Sequence, residues 1–550
     1  MKTRDYQDFA VYSIFRYFEE GKTGHPIVAM PTATGKSHVI ASFVQKVLHA
    51  YPGQRILMLT HVKELIEQNF DKLKKTWPNA PAGIYSAGLG RRDLYLPIIY
   101  AGIASAKSVA AELGHIDLVL VDECHLVSDK ENTMYRILLD TLMRINPKLK
   151  VIGFTATPYR MSSGSLIENG IFTDICVDMT GLEAFNWFIT QGYLSKVIPK
   201  ATNTEIDVSK VGTVGGDYNK KQLSIVTDQE SITRAACLEM IELGANRNHW
   251  LIFALSIHHA ESISRILEEL GISSVVVHSK LSPQQRNENT ERFTSGGVRA
   301  LVNMGVFTTG FDYPLIDLIT VLRATKSTSL WVQMIGRGLR VVYAAGYDLL
   351  TKEGRLEAIY NGPKQDCLVL DFAGNTKRLG PINDPVMPKR GKKMGGGTAP
   401  VKVCPTCMCY NPISAKTCEF CGYEFPVHIK IEKQASAIKL LADTKVAEVP
   451  EVNDFKVNHI CYAAHSKIGR PVSLKVTYTC GLRNFEEWVC FEHEGFPRRK
   501  AHDWWKKHGG IKPPLTVEEA LQRLSELKEA NQIKVWTNKQ YPEIMNYGFE

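Results

Sequence analysis

Gly35-Lys36-Ser37 closes the stretch MPTATGKSH, Met30–His38, which follows an apolar run and opens a helix-like one. That setting suits a phosphate cradle. The helix N-terminus and backbone N–H groups face the anion, the Lys36 ammonium reaches the outer phosphates, and the Ser37 hydroxyl ligates magnesium. Farther along, LVLVDECH (Leu118–His125) is an apolar strand ending in two acids. Asp122 can hold magnesium there, and Glu123 can orient and deprotonate an attacking water. QMIGRGLR (Gln333–Arg340) sets Arg337 and Arg340 three residues apart, on one face if the segment is helical. Guanidinium groups brought to a γ-phosphate from a second lobe are worth ~10³–10⁵ in rate in analogous systems. Each cluster alone has a plainer reading: GKS as a capped helix start, the acid pair as a solvated loop. In combination they point to ATP hydrolysis with Mg2+.

A different chemistry stands at Cys404, Cys407, Cys418 and Cys421, two CxxC pairs separated by ten residues. Each CxxC turn aims two thiolates at one tetrahedral ion, and four thiolates leave no open position, so a structural zinc ribbon with Zn2+ is expected rather than a catalytic metal. So short a segment needs the metal to fold. Gly422 fits the tight turn after the second pair, and Cys409 lies outside the pattern.

Elements that would hold these residues follow from the apolar rhythm. HPIVAM, QRILMLT, LPIIYAGI, IDLVLVDE and KVIGFTAT read as strands of a parallel sheet covered on both faces, with helical segments such as SHVIASFVQKVLHAY between them. HWLIFAL, ISSVVVH, VRALVNM, DLITVLR and CLVLDF repeat the pattern in a second lobe. The expected order is an ATP-binding lobe at 1–180, an insertion or hinge at 181–232, a second lobe at 233–380, a basic flexible linker at 381–400, the zinc module at 401–426 and a C-terminal domain at 427–550. The fold class is therefore α/β, two tandem parallel-sheet lobes, with a zinc ribbon and a mixed α+β C-terminal domain. Within that last domain, VSLKVTYTC and FEEWVCFEH alternate as strands and VEEALQRLSELKEANQ reads as a helix.

A length of 550 residues is too great for one core, and 44% hydrophobic with 22% charged content is ordinary for a globular protein. The net charge of +9 permits a polyanionic partner without requiring one. The start has acids within its apolar pattern and no small-residue cleavage site, and no apolar run is long enough to span a bilayer, so a cytoplasmic protein without membrane contact is expected.

RDYQ (Arg4–Gln7), PTATGKS, DECH, TAT (Thr155–Thr157), TTGFD (Thr308–Asp312) and QMIGRGLR occur in this order over roughly 1–375. In this the chain resembles the superfamily-two DEAD/DEAH-like helicases and translocases, whose fold is two RecA-like lobes. The resemblance implies adenine contacts from Arg4 and Gln7, a phosphate loop of Pro31, Thr32, Ala33, Thr34, Gly35, Lys36 and Ser37, and further nucleotide contacts from Gly310 and Asp312. It also implies that His125 and Gln333 couple the site to Thr155 and Thr157. Met30 stands where the loop's first glycine would be, an absence common in this class. Ala33 is the odder residue: if that backbone needs a positive φ, alanine is strained.

By the same resemblance the two lobes grip a nucleic-acid strand. His61 and Lys63 of HVKELIEQ, Arg91 and Arg92 of SAGLGRR, and Ser279, Thr308 and Thr309 are the candidate backbone contacts. THVKELIEQN, LVDECH, LVNMGVFTTGFDYP and DCLVLDFAGN, followed by four cysteines, are similar to the bacterial RadD family of DNA-repair ATPases. This implies DNA as the track and a single-stranded-DNA-binding protein and the recombinase RecA as partners. A restriction or defence motor, an RNA helicase and a nucleotide-switched scaffold are the alternatives. In the tail, GFPRRKAHDWWKKHGG interleaves Arg498, Arg499, Lys500, Lys506 and Lys507 with Trp504 and Trp505, which fits either a stacking platform or core packing. His459, Cys461, Cys480, Cys490 and His493 are too irregularly spaced for a metal and are expected as core residues.

Overall fold

The computed structural model describes residues 4–128, 130, 132–160, 164–168, 170–307, 311–386, 401–413, 415–426, 452–466, 471–481, 483–537 and 542–549. The chain divides into two compact units, Met1–His428 and Ile429–Glu550.

Within the first unit, lobe 1 is built on parallel strands in the order Asp174–Asp178, Pro26–Ala29, Lys150–Thr155, Leu118–Asp122, Ile56–Thr60, Ile98–Gly102 and Ala82–Ser86, with Arg91–Arg92 antiparallel at the far edge. The central strands are buried along their whole length because both faces are covered. Val28, Met58 and Leu120 enter the core on one face; Ile27, Leu57 and Val119 enter the core on the other. The strands 26–29, 150–155 and 118–122 are neighbours. Three loops therefore leave one carboxyl edge side by side: the phosphate loop, Thr155–Thr157 and Asp122–Glu123. This is where open α/β sheets place their ligands.

Lobe 2 is an all-parallel sheet in the order Lys196–Lys200, Asp366–Asp371, Leu318–Val321, Trp250–Phe253, Ala300–Met304, Ser274–His278. Both lobes are RecA-like. The stretch 181–232, expected as an insertion or hinge, is in part structural in both. Phe185, Phe188 and Leu194 pack into the lobe 1 core, and Lys196–Lys200 is the edge strand of the lobe 2 sheet. A lysine at each end of KVIPK and the proline within it hid this strand. Of the expected linker, 381–386 is tied to lobe 2, with Val386 N–H donating to Leu379 O at 2.7 Å and Thr328 Oγ1 donating to Val386 O at 3.1 Å; 387–400 lies outside the described residues.

The cysteine module has a short antiparallel hairpin, Val401–Val403 with Tyr410–Pro412, and rests on that edge strand. Ala201 N–H donates to Met408 O at 2.7 Å, Lys200 bridges Cys409, and the Lys196 ammonium lies 4.7 Å from the Phe420 ring centre.

The second unit holds two three-stranded antiparallel sheets. One is made by Val452–Lys456, Gln532–Trp536 and Glu543–Gly548, the other by His459–His465, Ser473–Cys480 and Arg483–Val489. The helix Phe496–Lys507 buries Trp504 and Trp505 in their shared core, so the indoles are packing residues and not an exposed platform. The helix expected across VEEALQRLSELKEANQ stops at Gln522. Arg523 there binds Glu519 and Glu526 and donates to the Lys512 carbonyl, and the chain turns toward the 532–536 strand. Cys480 is buried, whereas Cys461 is exposed, so the expectation of core thiols holds only in part. Among the described residues no helix is long and apolar enough to cross a membrane.

Candidate functional site

A cavity of about 300 Å³ opens between the lobes and is lined by Arg4, Gln7, Thr32–His38, Asp122, Glu123, Asp312, Arg337 and Arg340, with Leu65, Gln68 and Lys72. Nearly every residue expected to handle ATP thus faces one space.

The loop that forms its floor is held by the first helix, Asp5–Glu19. Tyr6 hydroxyl and Gln7 Nε2 both donate to the Thr34 carbonyl, at 2.9 and 3.0 Å, while Arg4 N–H donates to Gln7 Oε1 at 3.0 Å. Gly35 has φ 84° and a side chain there would strike Gln7 Nε2 at 2.6 Å, so glycine is required twice over. Ala33 has φ 69°, the positive value that makes alanine strained. Lys36 Nζ reaches the Met30 carbonyl at 3.5 Å across the loop. From lobe 2, Gly336 comes so close that a Cβ would lie 2.8 Å from Thr32 Cβ. Only glycine lets the arginine-bearing segment approach the loop.

Asp122 accepts from Asn69 Nδ2 at 2.9 Å and from the Glu123 N–H at 3.0 Å. Glu123 sits at φ 52°, a strained conformation that turns its carboxylate into the cleft. Its Oε2 is buried without a hydrogen bond, His125 Nδ1 being 3.3 Å away. Burial and the charge of Glu123 push Asp122 above the ordinary carboxylate range. Glu123 is pushed up by burial too, yet Lys36, His125 and Arg337 facing it hold it below that range.

His125 links the lobes. Its Nδ1 is 3.0 Å from Thr155 Oγ1, and its Nε2 is 3.1 Å from Gln333 Nε2. The Gln333 amide nitrogen can only donate, so Nε2 accepts and Nδ1 carries the proton. Thr157 N–H donates to Thr155 Oγ1 at 3.0 Å, completing the chain.

Arg337 and Arg340 are not on a helix. The Thr328–Gly336 helix gives way to a 3-10 turn at Arg337–Leu339, and Arg340 is extended. Three residues per turn still align positions three apart, which is why both reach the cavity. Arg337 Nη1 donates to Phe311 O at 2.7 Å; Arg340 Nε pairs with Asp312, and its Nη1 is buried with no hydrogen-bond partner. Burial, then the like charge of Arg340, acts against the charged form of Arg337. An anion in the cavity would relieve both. Thr308, Thr309 and Gly310 lie outside the described residues.

Hard oxygen donors at Ser37 and Asp122 fit a magnesium ion. In the ribbon, Cys404 Sγ is 3.5 Å from Cys421 Sγ and Cys407 Sγ is 3.6 Å from Cys418 Sγ, and all four sulfurs lie within 4.8 Å of one another. Tetrahedral zinc with ~2.3 Å bonds needs sulfurs about 3.8 Å apart, so the set fits. Cys418 is pulled down to about 6 because the N–H groups of Cys421 and Phe420, facing its sulfur, outweigh the effect of burial.

Among the described residues, the expected nucleic-acid contacts do not line the cavity. His61, Lys63 and Ser279 are exposed beyond the ends of their strands, and Arg91 and Arg92 are exposed on the outer strand, over the rings of Phe70 and Tyr85. Sequence reasoning missed Asn69, which holds Asp122. It occupies a buried position on one helix face with Ile66 and Leu73, and a polar residue in an apolar stripe was the available signal.

Residues 1–160 match the family described as type III restriction enzyme, res subunit, and residues 233–342 match the helicase conserved C-terminal domain. The chain carries the paired domains of a superfamily-two, ATP-dependent helicase. Among curated relatives, "Putative ATP-dependent helicase IRC3" of Saccharomyces cerevisiae is 26% identical over 398 residues, covering 70% of this chain and 53% of its own length. The chain thus spans about half of that relative. The "51.5 kDa protein" of a Lactococcus phage (isolate 7-9) is 25% identical over 467 residues, 82% of this chain and 91% of the phage protein. Among solved structures, a fragment of a "putative HsdR subunit" of a type I restriction enzyme from Vibrio vulnificus YJ016 overlays with a TM-score of 0.49 at 18% identity, covering 70% of this chain and 67% of that one.

Proposed function

We propose that this protein is a nucleic-acid-stimulated ATPase that translocates along DNA, or separates its strands, in repair or recombination. The observation that carries the reading is the inter-lobe cavity, where a phosphate loop and two acids from one lobe face two arginines from the other. Glu123 orients a water for in-line attack on the γ-phosphate and takes its proton; the open Oε2 is the atom for that task. Lys36, Arg337 and Arg340 stabilise the charge that develops on the transferring group. Arg4 and Gln7 bind the base, with Thr32–Gly35 and Asp312 lining the nucleotide. Ser37 and Asp122 would hold a magnesium ion, which would neutralise charge on the phosphate oxygens. His125, bonded to Thr155 in one lobe and Gln333 in the other, senses whether the lobes are closed. His61, Lys63, Arg91 and Arg92 contact the strand backbone. Cys404, Cys407, Cys418 and Cys421 would hold a structural zinc ion. Single-stranded-DNA-binding protein and a recombinase are the partners this reading carries.

ATP turnover by wild type and Lys36→Ala, with single-stranded DNA, duplex DNA or RNA, tests the proposal. DNA-stimulated turnover lost in the variant is expected. Stimulation by RNA alone would make this an RNA helicase, and nucleotide binding without turnover would make it a scaffold. The match of residues 1–160 to a restriction-enzyme subunit favours a second reading, the motor of a restriction complex. Co-purification with a nuclease or methyltransferase subunit would decide for it.

A further inference from the structure

Lys364 lies between the Lys352–Tyr360 helix and the Asp366–Asp371 strand and is 2% exposed. No step above uses it. Its ammonium donates to three backbone carbonyls, Arg340 O at 2.7 Å, Gly338 O at 2.8 Å and Pro314 O at 3.1 Å. Three donors meeting three acceptors is what makes so deep a lysine tolerable. The identity of those carbonyls is the informative part. A helix leaves its last C=O groups without partners, and the 3-10 turn Arg337–Leu339 follows the Thr328–Gly336 helix that leads into the arginine pair. The Gly338 and Arg340 carbonyls are taken by Lys364, and the one between them, Leu339 O, accepts from Ser195 N–H at 2.8 Å. Pro314 follows the segment bearing Asp312, the partner of Arg340. The turn is also pressed onto the sheet, since a Cβ on Gly338 would lie 2.6 Å from Cys367 Sγ. A cation at a helix C-terminus is favourable in itself, and here it is buried, fully coordinated and joined to both segments that present charge to the cavity.

We propose that Lys364 is a positioning residue for catalysis: by capping the turn at Gly338 and Arg340 and anchoring Pro314, it fixes where Arg337 and Arg340 point. The inference rests on the ATPase reading of the cleft. Lys364→Met preserves the length of the stem and removes the donors. In the full-length protein with single-stranded DNA, the variant is expected to lose about 10²-fold in kcat, the cost of a small misplacement of a catalytic group, with the KM for ATP unchanged. Hydrogen exchange is expected to speed up at residues 311–316 and 337–342 and nowhere else. A folded variant with wild-type kcat overturns the proposal, as does an equal loss in kcat and rise in KM. If wild type itself turns over no ATP, the ATPase reading fails, and exchange still decides: local loosening supports the clamp, unchanged exchange refutes it. Should the methionine variant not fold, Lys364→Gln keeps two donors. A loss of ~10-fold in kcat at unchanged KM then supports the proposal, and wild-type kcat overturns it.

Discussion

The nucleotide cleft and the core of the C-terminal unit both bury a carboxylate among aromatic and basic residues, and they treat it in opposite ways. Glu487 accepts from Tyr478 hydroxyl at 2.7 Å, Trp504 Nε1 at 2.8 Å and Tyr547 hydroxyl at 2.7 Å, which ties two strands of different sheets and a helix to one group. Every bond it needs is supplied by the protein. In the cleft, Glu123 Oε2 and Arg340 Nη1 are buried without hydrogen bonds, and Glu123 and Ala33 are held at positive φ. A protein leaves buried polar atoms open and backbone strained where something else completes them. Burial is common to both carboxylates; Glu487 finds its partners inside the protein, whereas Glu123 Oε2 has only His125 Nδ1 near it, at 3.3 Å.

The strongest test of the contrast is Arg340→Ala. Turnover is expected to fall ~10³–10⁵-fold with the melting temperature scarcely moved, read by steady-state kinetics and calorimetry. A large loss of stability with little loss of rate would make Arg340 structural and erase the distinction.

Acid stability probes the other side. Burial pushes His508 from 6.5 down to about 4, and its Nε2 has no hydrogen-bond partner to receive a second proton. The unfolded chain takes up that proton first, so the stabilisation present above pH 6.5 is lost as pH falls toward 4. The expected loss is on the order of 3 kcal/mol. Hydrogen exchange at residues 473–508 across this range checks it, and His508→Phe should flatten the dependence.

Replacing the strut, Glu487→Ala, strands three buried donors and should cost roughly 1–3 kcal/mol, read as faster exchange in the same segment. ATP turnover is expected to stay at the wild-type level. A change in turnover with exchange unaltered would show that the satisfied carboxylate is part of the chemistry after all. The smallest effect is at Ala33. Ala33→Gly relieves the positive φ and should add about 1 kcal/mol, as a higher melting temperature or tighter nucleotide binding in titration calorimetry.

Much of the cleft was legible in the chain. The apolar runs ending in Ala29, Asp122 and Thr155 gave three strands and, at their carboxyl ends, three chemical groups, because a strand covered on both faces must be apolar throughout and its polar residues begin where it ends. The meeting of the four cysteines was equally plain, since spacing alone sets what a CxxC pair can ligate. Less visible was the 196–200 strand, whose KVIPK pattern carries polar residues because an edge is only half covered. Whether QMIGRGLR stays helical through Arg337 was open in the sequence; the helix ends at Gly336, the first of the two glycines that flank Arg337.

What the sequence by itself determined is the inventory: loop, acid pair, arginines, thiols, and the parallel sheets that separate them, all fixed by local pattern and residue chemistry. What only the tertiary structure decided is which groups meet. Sheet order put 26–29, 150–155 and 118–122 side by side; the approach of Gly336 to Thr32 brought the arginines over the loop; Lys364 found its three carbonyls; and Trp504 and Trp505 turned inward. These pairings join residues far apart in the chain, and they arise from packing of whole elements, which no local window of sequence encodes.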